Sequence, residues 1–534
     1  MNHHRRAFLK QMAALSGMGA AAPLAINLGA LTEAAAQSAG GGYKALVCIF
    51  LNGGNDAFNT VLATDSTSWT HYTAHRTPAD SSAGIALPVA GTAADSAAGN
   101  NDPARLGGIL PIDHANRAVH SGRTFALHPA LTGLRGLYQS GQAAVLANVG
   151  PLLSPTTKAN YADPTVAKPA KLFSHNDQQS TWQSFQPEGA SEGWGGLMGD
   201  CLMAANGASR NEVDAAIIRR SFTCMSPSGT SVWLAGKSVL PYQSGSSSVT
   251  SLGSGGKVYG QAAVLDAMAA VLGKASSDGS YAVPARNLLH ADHQQVVQRA
   301  LQAADLLGSG LVGQGVSPWG STVTSGNYSP SNDPLLKYTS VVDGTQKLNS
   351  LALQLQMVAR IIATNTVANL GLSRQFFMVS LGGFDTHDNQ IRDHAERMLQ
   401  LDHALTYFNQ VLSGMPAGDM RSQVTTFTAS EFGRTFTSNG DGTDHGWGSH
   451  QFVVGGAVNG TDVYGTFPQY STADSKGAFS SPDQIENGSL IPSTSVDQYA
   501  YTLGKWMGVS HGELSTLLPH IGAFNSPDLG FMKS

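Results

Sequence analysis

The stretch Lys44–Asn59, KALVCIFLNGGNDAFN, decides the reading of the fold. Its first eight residues, Lys44–Leu51, form a near-continuous apolar run of strand length, the pattern of a strand covered on both faces. The run ends abruptly in Asn52-Gly53-Gly54-Asn55-Asp56, a turn that throws polar side chains off the strand's carboxyl end. The same sentence is written twice more. Gln375–Leu381 (QFFMVSL) runs into Gly382-Gly383-Phe384-Asp385-Thr386-His387-Asp388, and Gln423–Ala429 (QVTTFTA) runs into Ser430-Glu431-Phe432-Gly433-Arg434-Thr435. Ala143–Val149 and Gln451–Gly455 read as further strands, and Gln346–Thr364, His387–Leu412 and Ser495–Met507 as amphipathic helices. Strands alternating with helices predict an α/β fold: a mostly parallel central sheet with helices on both faces.

Outside this frame lie Ser-, Gly-, Ala-, Thr- and Pro-rich stretches near 64–123, 226–260 and 308–343, which read as surface insertions on a single domain spanning 37–534. The first 36 residues read as a cleaved export signal. Arg5-Arg6 is followed by Phe8 and Leu9, then by an Ala/Gly-rich apolar stretch and by Ala34-Ala35-Ala36. Ser16, Pro23 and Asn27 interrupt that stretch, so a permanent membrane span is not expected. The expected route is the twin-arginine translocase, which carries proteins already folded, and the expected location is periplasmic or extracellular. Charged residues make up 13% of the chain and the formal net charge is −5, which excludes a basic nucleic-acid binder. Cys48 falls inside the first strand; Cys201 and Cys224 leave one disulfide open.

In open α/β sheets ligands bind outside the carboxyl ends of the strands. The segments after the strands, together with Gly442-Thr443-Asp444-His445-Gly446-Trp447-Gly448-Ser449-His450, deliver Asp, His, Glu and Arg to that one edge. Asp56, Asp385, His387, Asp444, His445 and His450 are the oxygen and imidazole donors that divalent ions take. Two such ions (zinc, manganese, calcium or magnesium) could clamp the attacking and leaving oxygens of an ester. Arg434 could offer a planar fork to a phosphate or sulfate, or Glu431 and Arg434, three apart, could pair with each other. Structural alternatives stand beside these: Asp56 holding its turn, Asp385 with Thr386 capping a helix, His450 buried in the core. His71, His75, His114, His120 and His128 fall in or near the first insertion and read as solvated, and His394 as helical.

The ordered motifs GGNDAFNT, FSHNDQQSTWQ, GGFDTHDNQ, SEFGRT and GTDHGWGSH resemble the exported bacterial family of domain of unknown function 1501, which itself looks like a branch of the alkaline phosphatase and sulfatase superfamily. The resemblance implies an alkaline-phosphatase-like fold and a metal-dependent hydrolase of phosphate or sulfate esters. It implies Asp56 as the first-strand ligand, Asp385 with His387 for one metal, and Asp444-His445 with His450 for the rest. It also implies Ser174, at a helix start, as nucleophile, with Glu431 and Arg434 beside it. The spacing of Asp385 and His387 is shorter than in the phosphatases. A formylglycine sulfatase is not expected, because Cys224-Met225-Ser226-Pro227-Ser228 carries Ser228 where arginine is required. The expected partner is a small or polymeric ester, glycan-linked in one version. The alternative is a non-catalytic exported binding or assembly protein that keeps the fold; a metal-dependent esterase or lyase on glycans is a third reading.

Overall fold

The computed structural model describes residues 42–77, 84–115, 118–249, 288–321 and 327–533, with isolated positions between 250 and 287. The first 36 residues, read above as an export signal, lie outside the described residues. The core is a nine-stranded mixed, mostly parallel sheet. Its strands are β1 (Lys44–Asn52), β2 (Ala143–Gly150), β3 (Cys224–Ser226), β4 (Tyr242–Gln243), β5 (Arg374–Gly382), β6 (Val424–Ala429), β7 (Ser449–Val454), β8 (Val463–Tyr464) and β9 (Thr494–Ser495). They lie in the order β8-β2-β7-β6-β1-β5-β3-β4, with β9 pairing further along β2. Only β7 runs against its neighbours β6 and β2; the other pairs are parallel.

The apolar run of β1 has a direct cause. Alternate residues of a strand point to opposite faces, and both faces are covered. Ala45, Val47, Ile49 and Leu51 join one core cluster; Leu46, Cys48 and Phe50 join the other. The first cluster is closed by α4 (Ser350–Val367) and α5 (Gln390–Ser413), through residues such as Leu355 and Leu401. The second is closed by α3 (Trp194–Leu202) and α6 (Val496–Met507), where Trp194 packs among Trp182, Trp233 and Phe427. Helix α6 begins on a capping box, Ser495 and Gln498 satisfying each other's backbone N–H. All three cysteines are free thiols, and Cys48 and Cys224 are buried in the sheet.

Register places the site. Asn52 pairs with Gly382 and Phe50 with Ala429, so β1, β5 and β6 end side by side on one edge. Because β7 is antiparallel, it starts at that edge, and the loop before Ser449 reaches it too.

Three sequence readings need correction. The helix expected from His387 begins at Gln390, because Asn389 (φ 48°) turns the chain and is the N-cap; Asp385 is therefore not a cap. The first insertion is partly interior: helix α1 (Ser66–Arg76) buries Tyr72 and Arg76, and Ile85 and Leu87 join the core. His120 and His128 are buried rather than solvated. Among the described residues no helix is long and apolar enough to cross a membrane.

Candidate metal centre

Close packing of three chain reversals builds the site. Gly53 (φ 120°) lies against the next loop so tightly that a Cβ on it would sit 2.3 Å from the Asp385 backbone nitrogen; only glycine allows that approach. Phe384 N donates to Asn52 O (3.1 Å), fixing the two loops together. The third reversal, after β6, continues into a short hairpin, Arg434–Ser438 with Thr443–His445, in which Arg434 faces His445. Arg434 is fully buried and joins all three segments. Its guanidinium donates to Gly53 O (3.1 Å), to Asp385 Oδ1 (2.7 Å), to Thr443 Oγ1 (3.3 Å) and to Thr443 O.

Around Asp385 three imidazoles converge. His387 Nε2 is 3.0 Å and His445 Nε2 3.3 Å from Oδ1, and the two nitrogens are 3.1 Å apart. His175, from the first turn of α2 (His175–Ser184), places Nε2 3.4 Å from Oδ2. His175, Asp385 and His445 also form a group whose ligand atoms all lie within 4.8 Å of one another. Ligand atoms about 2.0–2.1 Å from a tetrahedral ion are about 3.3 Å from each other, which is the spacing seen here. Asp385 and His387 are 44% and 45% exposed, so the cluster opens to solvent.

The far nitrogens settle the tautomer of His445 and supply acceptors to the other two rings. His445 Nδ1 lies 2.7 Å from Phe173 O, and a carbonyl oxygen only accepts, so Nδ1 carries the hydrogen. His387 Nδ1 faces Asp444 Oδ1 (3.3 Å) and His175 Nδ1 faces Glu431 Oε1 (3.0 Å). An acceptor at each Nδ1 allows every one of the three imidazoles to turn an Nε2 lone pair inward, the arrangement that orients metal-binding histidines. Two lone pairs 3.1 Å apart repel unless a cation or proton lies between them. Burial pulls the His445 imidazole below its ordinary value, and the nearby Arg434 charge does so further. The hydrogen bond to Glu431 raises His175. Burial would raise Asp385, but the bond and charge of Arg434 prevail and hold its carboxyl low. Three carboxylates, Asp385, Glu431 and Asp444, border the cluster, and of these only Asp385 pairs with the Arg434 guanidinium. Glu431 Oε2 is buried and has no partner among the described residues, as an atom facing a cation or water would be.

Asp385, His387, Asp444 and His445 therefore come together as the sequence reading placed them. Asp56 does not join them. It is buried against Arg76 (2.5 and 3.0 Å), accepts from Gln390 Nε2 (2.5 Å) and from Phe58 N, and caps the short helix Ala57–Thr60. His450 is also apart: its Nδ1 accepts from Asn148 N (3.0 Å), its ring stacks on Phe467 at 4.4 Å, and burial takes it down to about 3. Ser174 is the N-cap residue of α2, but its hydroxyl donates to Asp177 Oδ2 (2.8 Å). Arg434 has no open face for an anion, and Glu431 pairs with Gly53 N (2.7 Å) and His175 rather than with Arg434. His175 was passed over in the sequence; its position beside Ser174 at a helix start was the available signal.

Residues 343–518 match the family model described as "Protein of unknown function (DUF1501)", a stretch that holds the motifs GGFDTHDNQ, SEFGRT and GTDHGWGSH. No curated protein matches. One solved structure that is similar comes from work described as "Metabolism of multiple glycosaminoglycans by bacteroides thetaiotaomicron is orchestrated by a versatile core genetic locus". It is 10% identical, with 89% of this chain and 75% of that chain covered and a TM-score of 0.30.

Proposed function

We propose that this chain, carrying the unknown-function family segment over 343–518, is an exported metal-dependent hydrolase of phosphate or sulfate esters on an alkaline-phosphatase-like scaffold. One observation carries the reading: three imidazoles, each with an acceptor facing Nδ1, turn Nε2 toward a single carboxylate. Imidazole with carboxylate suits zinc or another transition ion better than magnesium or calcium. When bound, such an ion supplies Lewis acidity to an ester oxygen. His387, His445 and one Asp385 oxygen would hold it; His175 and the other Asp385 oxygen offer a second place.

The remaining work falls to the protein. Arg434 holds Asp385 in position from below. Asp444, Glu431 and Phe173 O keep the Nδ1 protons, so the imidazoles cannot flip. The Phe432 ring, 4.6 Å from His445 and 4.8 Å from His175, wedges both. Since the Ser174 hydroxyl is given to Asp177, the attacking oxygen is assigned to water entering by the exposed face. Folding and metal loading before translocation would account for a twin-arginine signal. A second reading, a non-catalytic exported metal or binding protein, is favoured by one fact: neither Ser174 nor Arg434 is free to meet a substrate.

Elemental analysis joined to turnover of aryl phosphate mono- and diesters and aryl sulfate tests both readings. The hydrolase should hold about one to two ions and turn over one ester, with His445→Ala and Asp385→Asn losing both properties. Metal content unchanged in both variants refutes the centre. Full metal with no turnover selects the binding protein.

A further inference from the structure

Beside the centre, a cleft of about 460 Å³ runs from the end of β1 along α2. Gln179, on its wall, stands one helical turn after His175. A second cleft of about 370 Å³ shares Ala190, Thr230, Ser231 and Val232 with the first, so the two are continuous.

The lining has a definite chemistry. Among the described residues no Lys, Arg or His lines either cleft, and Glu188 is the one charged residue. Gln183, only 3% exposed, uses Oε1 to accept from Ser231 Oγ (3.0 Å) and Trp233 N (3.1 Å). That fixes which end of its amide is oxygen and leaves the NH2 group without a partner among the described residues. Gln179 Nε2 donates to Asn52 Oδ1 (3.1 Å), which leaves Gln179 Oε1 as acceptor and Asn52 Nδ2 as donor. Ser380 and Thr230 add hydroxyls, and Met378 an apolar floor.

Uncharged donors and acceptors side by side match hydroxyl groups, which both give and take a hydrogen bond. An anion would meet Glu188 with no cation to offset it, and an apolar ligand would strand the Gln183 amide without a partner. We infer that this cleft binds a neutral, polyhydroxylated sugar, so that the ester handled at the metal centre is carried on an uncharged oligosaccharide. The link to ester chemistry rests on the function proposed above; the sugar site rests on the cleft alone.

The test is ligand-observed NMR and calorimetry on the metal-loaded full chain with maltotriose, cellotriose and tri-N-acetylchitotriose, and with trigalacturonate as the anionic control. At least one neutral trisaccharide should bind and trigalacturonate should not. Gln183→Leu should weaken binding about tenfold, the effect of one or two lost hydrogen bonds, with metal content unchanged. Gln179→Leu repeats the test without disturbing the Gln183–Trp233 contact, should the first variant fail to fold. Failure of every neutral trisaccharide to bind protein of full metal content overturns the inference, as does trigalacturonate binding equally well. Glutamine-dependent sugar binding to protein that takes up no metal upholds the cleft and refutes the centre.

Discussion

Asp56→Asn separates a structural carboxylate from a metal ligand. Asp56 and Arg76 are both fully buried and joined by two contacts, 2.5 and 3.0 Å. Arg76 also donates to Phe436 O (3.2 Å) and Thr435 O (2.9 Å), tying α1 to the hairpin that carries His445. Neutralising Asp56 leaves a guanidinium buried without its counter-charge, which costs about 3–5 kcal/mol. For a chain of 534 residues the unfolding entropy is about 1.1 kcal/mol/K. The melting temperature should therefore fall by about 3–5 °C in calorimetry. Metal content, measured well below the transition, should stay at the wild-type level. Replacing both partners with apolar residues, Asp56→Leu with Arg76→Met, should recover most of the loss, because no charge is then stranded. An Asp56→Asn protein of unchanged melting temperature that has lost its metal would refute this reasoning and return Asp56 to the ligand set.

Other outcomes follow from the same geometry. Gly53→Ala places a methyl 2.3 Å from the Asp385 nitrogen; metal affinity should drop at least about tenfold even in folded protein, and unaltered affinity would show the loops to be less tightly coupled. Ser174→Ala removes the bond to Asp177 and should lower stability by about 1 kcal/mol while sparing ester turnover, whereas about a hundredfold loss at full metal content would make Ser174 the nucleophile. Burial raises Asp402 to about 6, against the pull of its bonds from Leu134 N (2.6 Å) and Gly133 N (3.1 Å). Between roughly pH 4 and 6 the folded state thus keeps a proton the unfolded chain has lost, and stability falls as pH rises through that window, by up to about 3 kcal/mol. Asp402→Asn should flatten this part of the stability profile, and parallel profiles for the two proteins would contradict the shift.

Much of the frame was legible because one physical signal dominated it. A strand buried on both faces is rich in apolar and β-branched residues, so β1, β5 and β6 announced themselves within a residue or two, and their loops came with them. Asp385, His387, Asp444 and His445 followed, since register alone brings those loops together. The misses share a different cause. Asp56 and His450 look like ligands by residue type, and only tertiary partners, Arg76 for one and Asn148 with Phe467 for the other, show where their polar atoms go. Arg76 itself lies in a stretch whose composition suggested solvent. His175 enters the cluster from more than 200 residues before Asp385, along a helix whose direction no local pattern specifies.

Anomalous diffraction from crystals soaked in zinc tests the central claim most directly. A peak about 2.0–2.2 Å from Nε2 of His387 and His445 and from an Asp385 oxygen is the expected result. A peak at Asp56 or His450, or none at any of these residues in fully soaked crystals, would contradict it.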